Sequence, residues 1–461
     1  MSNTYRIVSP VDGRILAERP YLNTNDAMKH IHASRIAQRM WKQTPLAERI
    51  AIGERFVEAM LAMQTEIAEE LTLQMGRPLS QSPGELRGFA ERARYMLRIA
   101  PTALADEDAG SDEQITRFLR RDPMGVVFVI AAWNYPYLIA VNSVLPAIIA
   151  GNSVILKHAA QTALVADRFA QAFAKAGLPR DVFQIVDISH ETAAHMIGSG
   201  QIDFVSFTGS VSGGHAIARA AAETFIGVAL ELGGKDPAYV RADADLESAV
   251  ATVVDGALFN SGQCCCGIER VYVHESKYQQ FMDAAVAMVN AYKLGNPLEL
   301  TTNLGPVVTA KAAQAIRAQV NEAITLGATP LIDPSSFQNN ALGTPYLAPQ
   351  ILTHVNHTMP FMREETFGPC FGIMSVKSDE EAIALMNDSH YGLTASIFTQ
   401  DESAAKNIGR MLETGTVFMN RCDHVDPHLA WTGVKDSGRG VALSHLGYHQ
   451  LTRAKSFHLK H

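Results

Sequence analysis

The sequence of 461 residues contains only five cysteines, and none of them belongs to a Cys-x-x-Cys pair. That spacing marks many structural zinc sites, so its absence argues against one. Five thiols in a chain of this length also do not form the disulfide framework that small secreted proteins need. The cysteines are concentrated instead, because three of the five are consecutive: Cys264, Cys265 and Cys266.

The chain also lacks an excess of positive charge. Its 39 Lys and Arg residues against 47 Asp and Glu residues give a formal net charge of −8 at pH 7. A surface of that sign repels phosphate backbones and anionic lipid headgroups. We therefore predict that neither nucleic acid nor membrane is a partner.

No apolar run is long and unbroken enough to predict a membrane span. The most apolar stretch, residues 125–151, is interrupted by Asn134, Pro136 and Pro146, which would leave polar groups exposed to lipid. The first residues, Met1–Arg6, show no basic segment followed by an apolar one. We therefore expect a cytoplasmic protein with reduced thiols.

Length and hydrophobic periodicity predict a multidomain α/β protein. A chain of 461 residues exceeds the size that one core supports, and 47% hydrophobic with 19% charged residues is typical of globular domains. Helical spacing covers Asn25–Met75 and Glu85–Ile99. Helical segments then alternate with short apolar runs, at residues 126–131, 153–156, 182–186, 204–207 and 226–230. This alternation predicts a doubly wound parallel sheet that binds ligands at the carboxyl ends of its strands.

A second α/β unit is predicted after Lys235. A helix over Asp243–Asn260 leads directly to the three cysteines, and Arg270–His274 has the pattern of a strand. The tail from Ser444 onward is expected to be an extended arm that adds an edge strand to a neighbour.

The three consecutive cysteines have four readings: a catalytic thiol, a buried apolar run, a metal site or a disulfide. Adjacent thiols do not easily surround one tetrahedral ion, whereas free cysteine is commonly buried. A thiol becomes a nucleophile only as the thiolate, and Glu231 is a candidate base if the fold brings it close. From the triplet alone, catalysis and simple burial both remain open.

Five short segments resemble, in order and spacing, the signature motifs of the aldehyde dehydrogenase superfamily. They are Ala132–Pro136, Phe207–Ser210, Glu231–Lys235, Gly262–Cys265 and Glu364–Pro369. The resemblance runs from about residue 5 to the C-terminus. It implies an NAD(P)-dependent, non-acylating enzyme that oxidises an aldehyde to a carboxylic acid.

The resemblance implies three catalytic residues. Cys265 would be the nucleophile, and Asn134 would share the developing alkoxide with the Cys265 backbone N–H. Glu231 would activate the water that hydrolyses the thioester, and burial would raise its pKa toward neutrality. The structural readings are a turn residue for Asn134 and a solvated strand end for Glu231. A cofactor-independent thioester or ester hydrolase and an inactive structural relative are the alternative functions.

The resemblance also implies a set of cofactor-binding residues. They are Trp133, Lys157, Ala160, Gly209, Ser210, Gly214, Leu232, Glu365 and Phe367. Ala160 stands where NAD-preferring relatives carry a glutamate that holds the ribose 2′-hydroxyl. Without that carboxylate a 2′-phosphate is not repelled, and Lys157 and His158 could attract it, so both NAD and NADP are expected as cofactors.

The expected substrate pocket is polar and contains no metal. Its predicted members are Tyr135, Leu138, Asn142, Cys264, Cys266, Arg421 and His424. Cys264 and Cys266 are expected to point to other sides than Cys265 and to line the pocket or pack. A polar or carboxylated small-molecule aldehyde, such as a short semialdehyde, would suit this lining, with Arg421 facing a distal carboxylate.

The resemblance finally implies a division into three parts. Residues 1–104 and 124–232 would form the NAD(P)-binding domain, and residues 233–430 the catalytic domain. Residues 105–123 and 440–461 would form a small β arm that assembles the chain into a homodimer or homotetramer.

Overall fold

The computed structural model describes residues 4–461 and arranges their strands in two large sheets and two small ones. Within these residues the strands, in chain order, are β1 (Thr4–Val8), β2 (Ile15–Pro20), β3 (Glu107–Asp108), β4 (Ile115–Pro123), β5 (Val126–Ala131), β6 (Ser153–His158), β7 (Phe183–Ile185), β8 (Phe204–Thr208), β9 (Gly227–Glu231), β10 (Asp236–Val240), β11 (Ile268–His274), β12 (Thr329–Pro330), β13 (Gln350–Thr353), β14 (Cys370–Val376), β15 (Thr394–Phe398), β16 (Thr416–Met419), β17 (Gly438–Arg439) and β18 (Thr452–Lys460).

The helices pack on the faces of these sheets. Over the same residues, in chain order, they are α1 (Thr24–Trp41), α2 (Leu46–Leu61), α3 (Gln64–Met75), α4 (Pro83–Ala103), α5 (Pro136–Ile149), α6 (Leu164–Ala176), α7 (His190–Gly198), α8 (Val211–Ala221), α9 (Leu246–Leu258), α10 (Glu275–Asn290), α11 (Ala310–Thr325), α12 (Pro360–Arg363), α13 (Asp379–Asn387), α14 (Glu402–Met411) and α15 (Ser444–Gln450). Within residues 4–461, no helix combines the length and the apolar character that crossing a membrane requires.

The first large sheet has six strands in the order β17-β9-β8-β5-β6-β7. Its strands run parallel except β17, which pairs antiparallel with β9. In β5, Val127 and Val129 pack under α2, α4, α5 and α6, whereas Val126 and Phe128 face α1, α7 and α8. Both faces are therefore buried, and the doubly wound parallel sheet predicted from the apolar runs is confirmed.

The second large sheet has seven strands in the order β12-β13-β14-β11-β10-β15-β16, parallel except for β12. The helix expected over Asp243–Asn260 is α9, and it ends at Leu258. It stops there because Asn260 and Ser261 adopt left-handed φ values of 53° and 56°. The strand expected at Arg270–His274 is β11.

The C-terminal tail differs from the predicted extended arm. Ser444–Gln450 forms α15, whose Tyr448 is fully buried and donates a hydrogen bond to the Met96 carbonyl at 2.9 Å. Only β18 is extended, and it pairs antiparallel with β4 of its own chain over nine residues. The segment of residues 105–114, between α4 and β4, includes the short strand β3.

Candidate active site

A cavity of about 520 Å³ lies at the carboxyl ends of β8 and β9. Ten residues that the sequence analysis placed in the site line it together: Tyr135, Leu138, Asn142, Glu231, Leu232, Cys264, Cys265, Cys266, Arg421 and His424. They come from α5, β9, the turn after α9 and the loop after β16. The fold therefore assembles one site from segments that lie far apart in the sequence.

The turn that carries Cys265 is held by backbone packing. After the left-handed residues that end α9, Gly262 has φ 71°, and a Cβ there would lie 2.1 Å from the Gly368 carbonyl oxygen. No other residue type fits this close approach. Cys265 emerges from the turn half-buried, while its two neighbours are buried.

Cys264 and Cys266 were expected to point to other sides than Cys265 and to line the pocket or pack, and both line the cavity. Residues 264–267 form a turn, closed by the Gly267 N–H donating to the Cys264 carbonyl at 3.2 Å, which folds Cys266 back toward Cys264. Their sulfurs lie 3.5 Å apart, and both donate to Asp423 Oδ1, at 3.0 and 3.2 Å. The two flanking thiols lower the pKa of Cys265, outweighing the opposite effect of burial. A lowered pKa favours the thiolate that nucleophilic attack requires.

Asn134 is buried behind the cysteine turn. Its Nδ2 donates to the Gln263 carbonyl at 3.2 Å. Asn260 Nδ2 donates to the carbonyls of both Asn134 and Gln263, each at 3.2 Å. Asn134 therefore lies beside the loop that carries Cys265.

Two buried charged residues that the sequence analysis missed hold Asn134 in place. Arg77 donates to the Asn134 carbonyl at 2.5 Å and to Asn260 Oδ1 at 3.1 Å, and it forms a buried ion pair with Glu85. Glu85 in turn accepts the Tyr137 N–H at 2.7 Å, at the start of α5. An acid in the first turn of a helix is common, so the local sequence carries no signal of this role.

Glu231 ends β9 and reaches the cavity. Thr208 Oγ1 donates to its Oε2 at 3.1 Å. Removal from bulk water nevertheless raises the pKa of Glu231 to about 7, against the opposing influences of Thr208 and Arg92. A carboxyl group with that pKa can exchange a proton near neutral pH. The pKa is shifted in the direction that the sequence analysis predicted from burial.

Arg92, on α4, is a cavity residue that the sequence analysis also missed. Its Nη1 donates to the Leu138 carbonyl at 3.2 Å and to Asn142 Oδ1 at 3.3 Å, both neutral acceptors. Among the residues that the structure describes, no carboxylate forms an ion pair with it. Burial lowers its pKa, an unfavourable environment that a bound anion would relieve. A hydrophobic period of 3.6 in α4 predicts which face is buried but not that an arginine on it faces a cavity.

A second cavity of about 360 Å³ lies on the other side of Gln263 and is lined by Trp133, Glu365 and Phe367. The Trp133 and Phe367 rings meet edge to face, 5.6 Å apart between centroids. Glu365 Oε1 accepts the Gly234 N–H at 3.0 Å. Burial, followed by a nearby carboxylate, raises the pKa of Glu365 to about 8.

A buried ion pair positions this second cavity. Glu269 accepts the backbone N–H groups of Thr366 at 2.8 Å and Phe367 at 2.9 Å, and it pairs with Lys235. Lys235 also donates to Thr366 Oγ1 at 2.9 Å. Lys235 belonged to a recognised motif, but Glu269 inside β11 had no sequence signal.

Four further predicted cofactor residues, Gly209, Ser210, Gly214 and Leu232, lie around the start of α8. Ser210 caps this helix by accepting the Gly213 N–H at 3.2 Å. Gly214 lies against Leu232, whose Cδ1 would be 2.7 Å from an added Cβ. The Leu232 N–H donates to the Ser437 carbonyl, so this residue supports the turn as well as lining the substrate cavity. Gly209 connects β8 to the Ser210 cap.

Lys157 and Ala160 lie at the carboxyl end of β6. Lys157 is buried and forms no ion pair within residues 4–461, and Ala160 is half-buried just beyond it. The expectation that His158 could attract a phosphate is wrong. Its ring is buried between the Pro136 carbonyl, at 3.4 Å, and Thr162, and burial lowers its pKa to about 4, so it is neutral.

Fold and site together define a two-sheet α/β enzyme with a cysteine and a glutamate facing one cavity. A sequence model of the aldehyde dehydrogenase family matches residues 1–457, and the chain belongs to this family. The enzyme class expected from the five motifs is thereby confirmed.

Three similar proteins illustrate the range of the family. The chain is 33% identical to the succinate semialdehyde dehydrogenase [NAD(P)+] Sad of Escherichia coli K12, over 96% of this chain and 95% of that protein. It is 32% identical to a succinate-semialdehyde dehydrogenase [NADP(+)] of Deinococcus radiodurans, over 98% and 94%. The crystal structure of an NAD-dependent aldehyde dehydrogenase from Sinorhizobium meliloti superposes with a TM-score of 0.94 at 31% identity, covering 99% of this chain and 91% of that one.

Proposed function

We propose that this chain oxidises short aldehydes that carry a distal carboxylate to the corresponding dicarboxylic acids, with NAD(P)+. The observation that carries the proposal is the cavity that Cys265 and Glu231 share with Arg92, a cation that forms no ion pair among the described residues. Two similar proteins are named for succinate semialdehyde, an aldehyde of this kind. The alternatives of a cofactor-independent hydrolase and an inactive relative gain no support from the comparisons.

The first step is attack of the Cys265 thiolate on the aldehyde carbon, which forms a C–S bond and an alkoxide. The flanking thiols favour this thiolate by lowering the pKa of Cys265. Asn134 has two amide hydrogens, and only one is needed for the Gln263 carbonyl. The second is available to the alkoxide, where such a donor contributes roughly 2.7–4 kcal/mol to the transition state.

The second step is loss of hydride from the adduct, which leaves a thioester on Cys265. A bound nicotinamide ring supplies the hydride acceptor for this step. Glu231 then takes a proton from water, the oxygen adds to the thioester carbon, and the thiolate leaves with the C–S bond electrons. The pKa of about 7 lets Glu231 accept that proton and release it to solvent in the next cycle.

The predicted cofactor residues, of which Trp133, Glu365 and Phe367 line the second cavity, fit a dinucleotide. The first turn of α8 offers backbone N–H groups for a pyrophosphate, and a side chain at Gly214 would displace Leu232. Lys157 forms no ion pair among the described residues and is available for ribose hydroxyls, and Ala160 adds no negative charge. We infer that both NAD and NADP are accepted, with Glu365, Trp133 and Phe367 at the nicotinamide end.

Arg92 decides the substrate class in this proposal. Its guanidinium has five N–H donors, of which the two contacts to Leu138 and Asn142 occupy only Nη1. The remaining donors can bind a carboxylate in a bidentate manner, the arrangement that arginine favours. The sequence suggested Arg421 as the partner of the substrate's distal carboxylate. Arg421 lies at the exposed rim of the cavity, so it is less shielded from water than Arg92.

A matched pair of aldehydes tests the proposal. Succinate semialdehyde and butanal have the same chain length and differ in the carboxylate. We expect wild type to favour the former by about 10–100-fold in kcat/KM, the effect of one buried charge-assisted contact. Arg92→Leu should abolish that preference. The ratio of kcat/KM for the two aldehydes is the readout, because loss of Arg92 also raises the pKa of Glu231 and so lowers both rates near neutral pH.

Arg94→Leu is the matched control, because Arg94 lies on the same helix but is exposed and pairs with Glu58 at 2.7 Å. Loss of the preference in Arg421→Leu instead of Arg92→Leu would move the anchor to the cavity rim. Absence of NAD(P)H formation with every aldehyde would contradict the proposed function itself.

We also propose that the three-stranded sheet assembles the chain into a homodimer or homotetramer. Its outer strand β18 has a free edge, and the Phe118 and Phe457 rings stack on it 4.4 Å apart. Leu459, also on β18, is exposed. Light scattering after gel filtration should show an oligomer that Leu459→Lys weakens; a monomeric wild type would contradict the proposal.

A further inference from the structure

Three donor atoms beside the nucleophile converge, although none of them bonds to the aldehyde in the proposed chemistry. The sulfurs of Cys264 and Cys266 and an oxygen of Asp423 all lie within 4.8 Å of one another. The S···S distance is 3.5 Å, and the S···O distances are 3.0 and 3.2 Å. Ligands of a tetrahedral zinc ion are spaced roughly 3.6–3.8 Å apart, so a small outward shift would admit an ion.

The fold presents these ligands from two directions. The cysteines lie on the turn after α9, and Asp423 lies on the loop after β16 with a left-handed φ of 47°. The neighbouring Cys422 fastens that loop by donating to the Thr252 carbonyl at 3.3 Å. Two sulfurs and one carboxylate oxygen form a donor set that favours a thiophilic divalent cation over Mg²⁺ or Ca²⁺.

We propose that Cys264, Cys266 and Asp423 form a binding site for a thiophilic divalent cation, Zn²⁺ above all, and that its occupation blocks the enzyme. All three residues line the cavity that contains Cys265, so the ion's fourth position is open to that cavity. A water would complete the coordination. The Tyr135 hydroxyl is buried, has no hydrogen-bond partner among the described residues and lines the same cavity, so it can bond such a water.

Binding replaces two S–H bonds by two Zn–S bonds and releases two protons, while the carboxylate supplies the third ligand. Two ligands of the bound ion, Cys264 and Cys266, flank Cys265 in the sequence. The ion itself lies in the space that an aldehyde must enter. Zinc should therefore inhibit reversibly and in competition with the aldehyde.

The binding experiment uses the full chain with Cys265→Ala, which removes the nucleophile as a ligand. Zn²⁺ is titrated in competition with a chromophoric chelator, under a reductant that does not bind metal. We expect one Zn²⁺ per chain. Cys264→Ser, Cys266→Ser and Asp423→Asn, each added separately, should weaken binding at least about tenfold.

Cys370→Ser is the matched control, because Cys370 is buried in a different core cluster and should leave the affinity unchanged. Co²⁺ gives a second readout, since two thiolate ligands produce a sulfur-to-cobalt absorption band that each cysteine variant should diminish. Stoichiometric binding that survives all three ligand variants would overturn the site. So would loss of binding on Cys265→Ala alone, which would place the ion on the nucleophile.

Inhibition is measured separately in the protein that retains Cys265. Zn²⁺ should raise the KM for the aldehyde, EDTA should restore it, and Asp423→Asn should require at least about tenfold more Zn²⁺ for the same effect. If Zn²⁺ inhibited Asp423→Asn and wild type equally, occupation of this site would not be the cause of the inhibition. The metal-binding readout does not depend on the aldehyde, so it stands even if the proposed substrate class is wrong.

Discussion

Two arginines, the buried Arg77 and the half-buried Arg92, flank the active site and differ in their partners. Arg77 has a carboxylate partner in Glu85 and two further acceptors, Asn134 and Asn260. Arg92 contacts only neutral acceptors and faces the cavity. The difference indicates that a paired buried charge shapes the site, whereas an unpaired one is available to a ligand.

The same contrast recurs in the neighbouring groups. The Lys235–Glu269 pair holds the backbone of Thr366 and is closed to ligands, whereas Lys157 is buried without an ion pair among the described residues. Glu231 is intermediate between the paired and the unpaired groups. Thr208 Oγ1 donates to one of its carboxylate oxygens, and the other oxygen accepts no hydrogen bond from the described residues, so it is available to water. Removing a paired group should therefore affect stability, and removing an unpaired one should affect binding or catalysis.

The largest expected effect is on stability. Arg77→Met leaves Glu85 buried and uncompensated, which should lower the free energy of unfolding by about 3–5 kcal/mol. Denaturant unfolding followed by circular dichroism measures this. Arg92→Met is the matched control and should change stability by less than about 1 kcal/mol, since no partner charge is stranded. Equal losses of unfolding free energy in both variants would contradict the difference between the paired Arg77 and the unpaired Arg92.

The next effect is kinetic and concerns Glu231. Glu231→Gln should permit hydride transfer but slow hydrolysis by roughly 10²–10⁴-fold, because water loses its base. Rapid mixing should show a burst of about one NAD(P)H per site followed by slow turnover. Equal loss of the burst and the steady state would assign Glu231 to thiol activation or to structure.

The next prediction concerns the choice between NAD and NADP, which we expect to depend on the absence of a negative charge at Ala160, close to Lys157. Ala160→Glu introduces a like charge next to the 2′-phosphate of NADP, which should cost several kcal/mol of binding. NAD should lose less and can gain one hydrogen bond, about 0.5–1.5 kcal/mol. Fluorescence titration of both cofactors measures the two affinities. Strict NAD specificity in wild type would show that another residue excludes the phosphate.

The smallest expected effect is on the pH dependence of activity, and it tests the contact between Thr208 and Glu231. Activity should fall as the pH drops through about 7, because the base is then protonated. Thr208 stabilises the carboxylate, so Thr208→Val should raise the pKa of Glu231 and move this acid limb upward by roughly 0.5–1 pH unit. The pH profile of kcat checks the shift, and a downward shift would contradict the contact.

The sequence by itself determined the parallel sheets and the family, and it predicted the central residues, whose catalytic roles stay predictions. Strand β5 has the predicted limits, Val126–Ala131, because a run buried on both faces is continuously apolar. Cys265 and Glu231 were identified because motifs are local in the sequence. The domain boundaries, the cytoplasmic location and the oligomeric arm stay predictions.

Only the tertiary structure decided which distant side chains meet. Arg92 and Glu85 both lie on a helix that the sequence predicted, yet nothing local distinguishes the one facing a ligand cavity from the one facing an arginine. Nothing in the sequence shows that a turn brings the sulfurs of Cys264 and Cys266 together, or that a loop 157 residues away from Cys266 supplies Asp423. The physical reason is that partners are chosen by packing of separate segments, and hydrophobic periodicity records burial without recording what each buried charge faces.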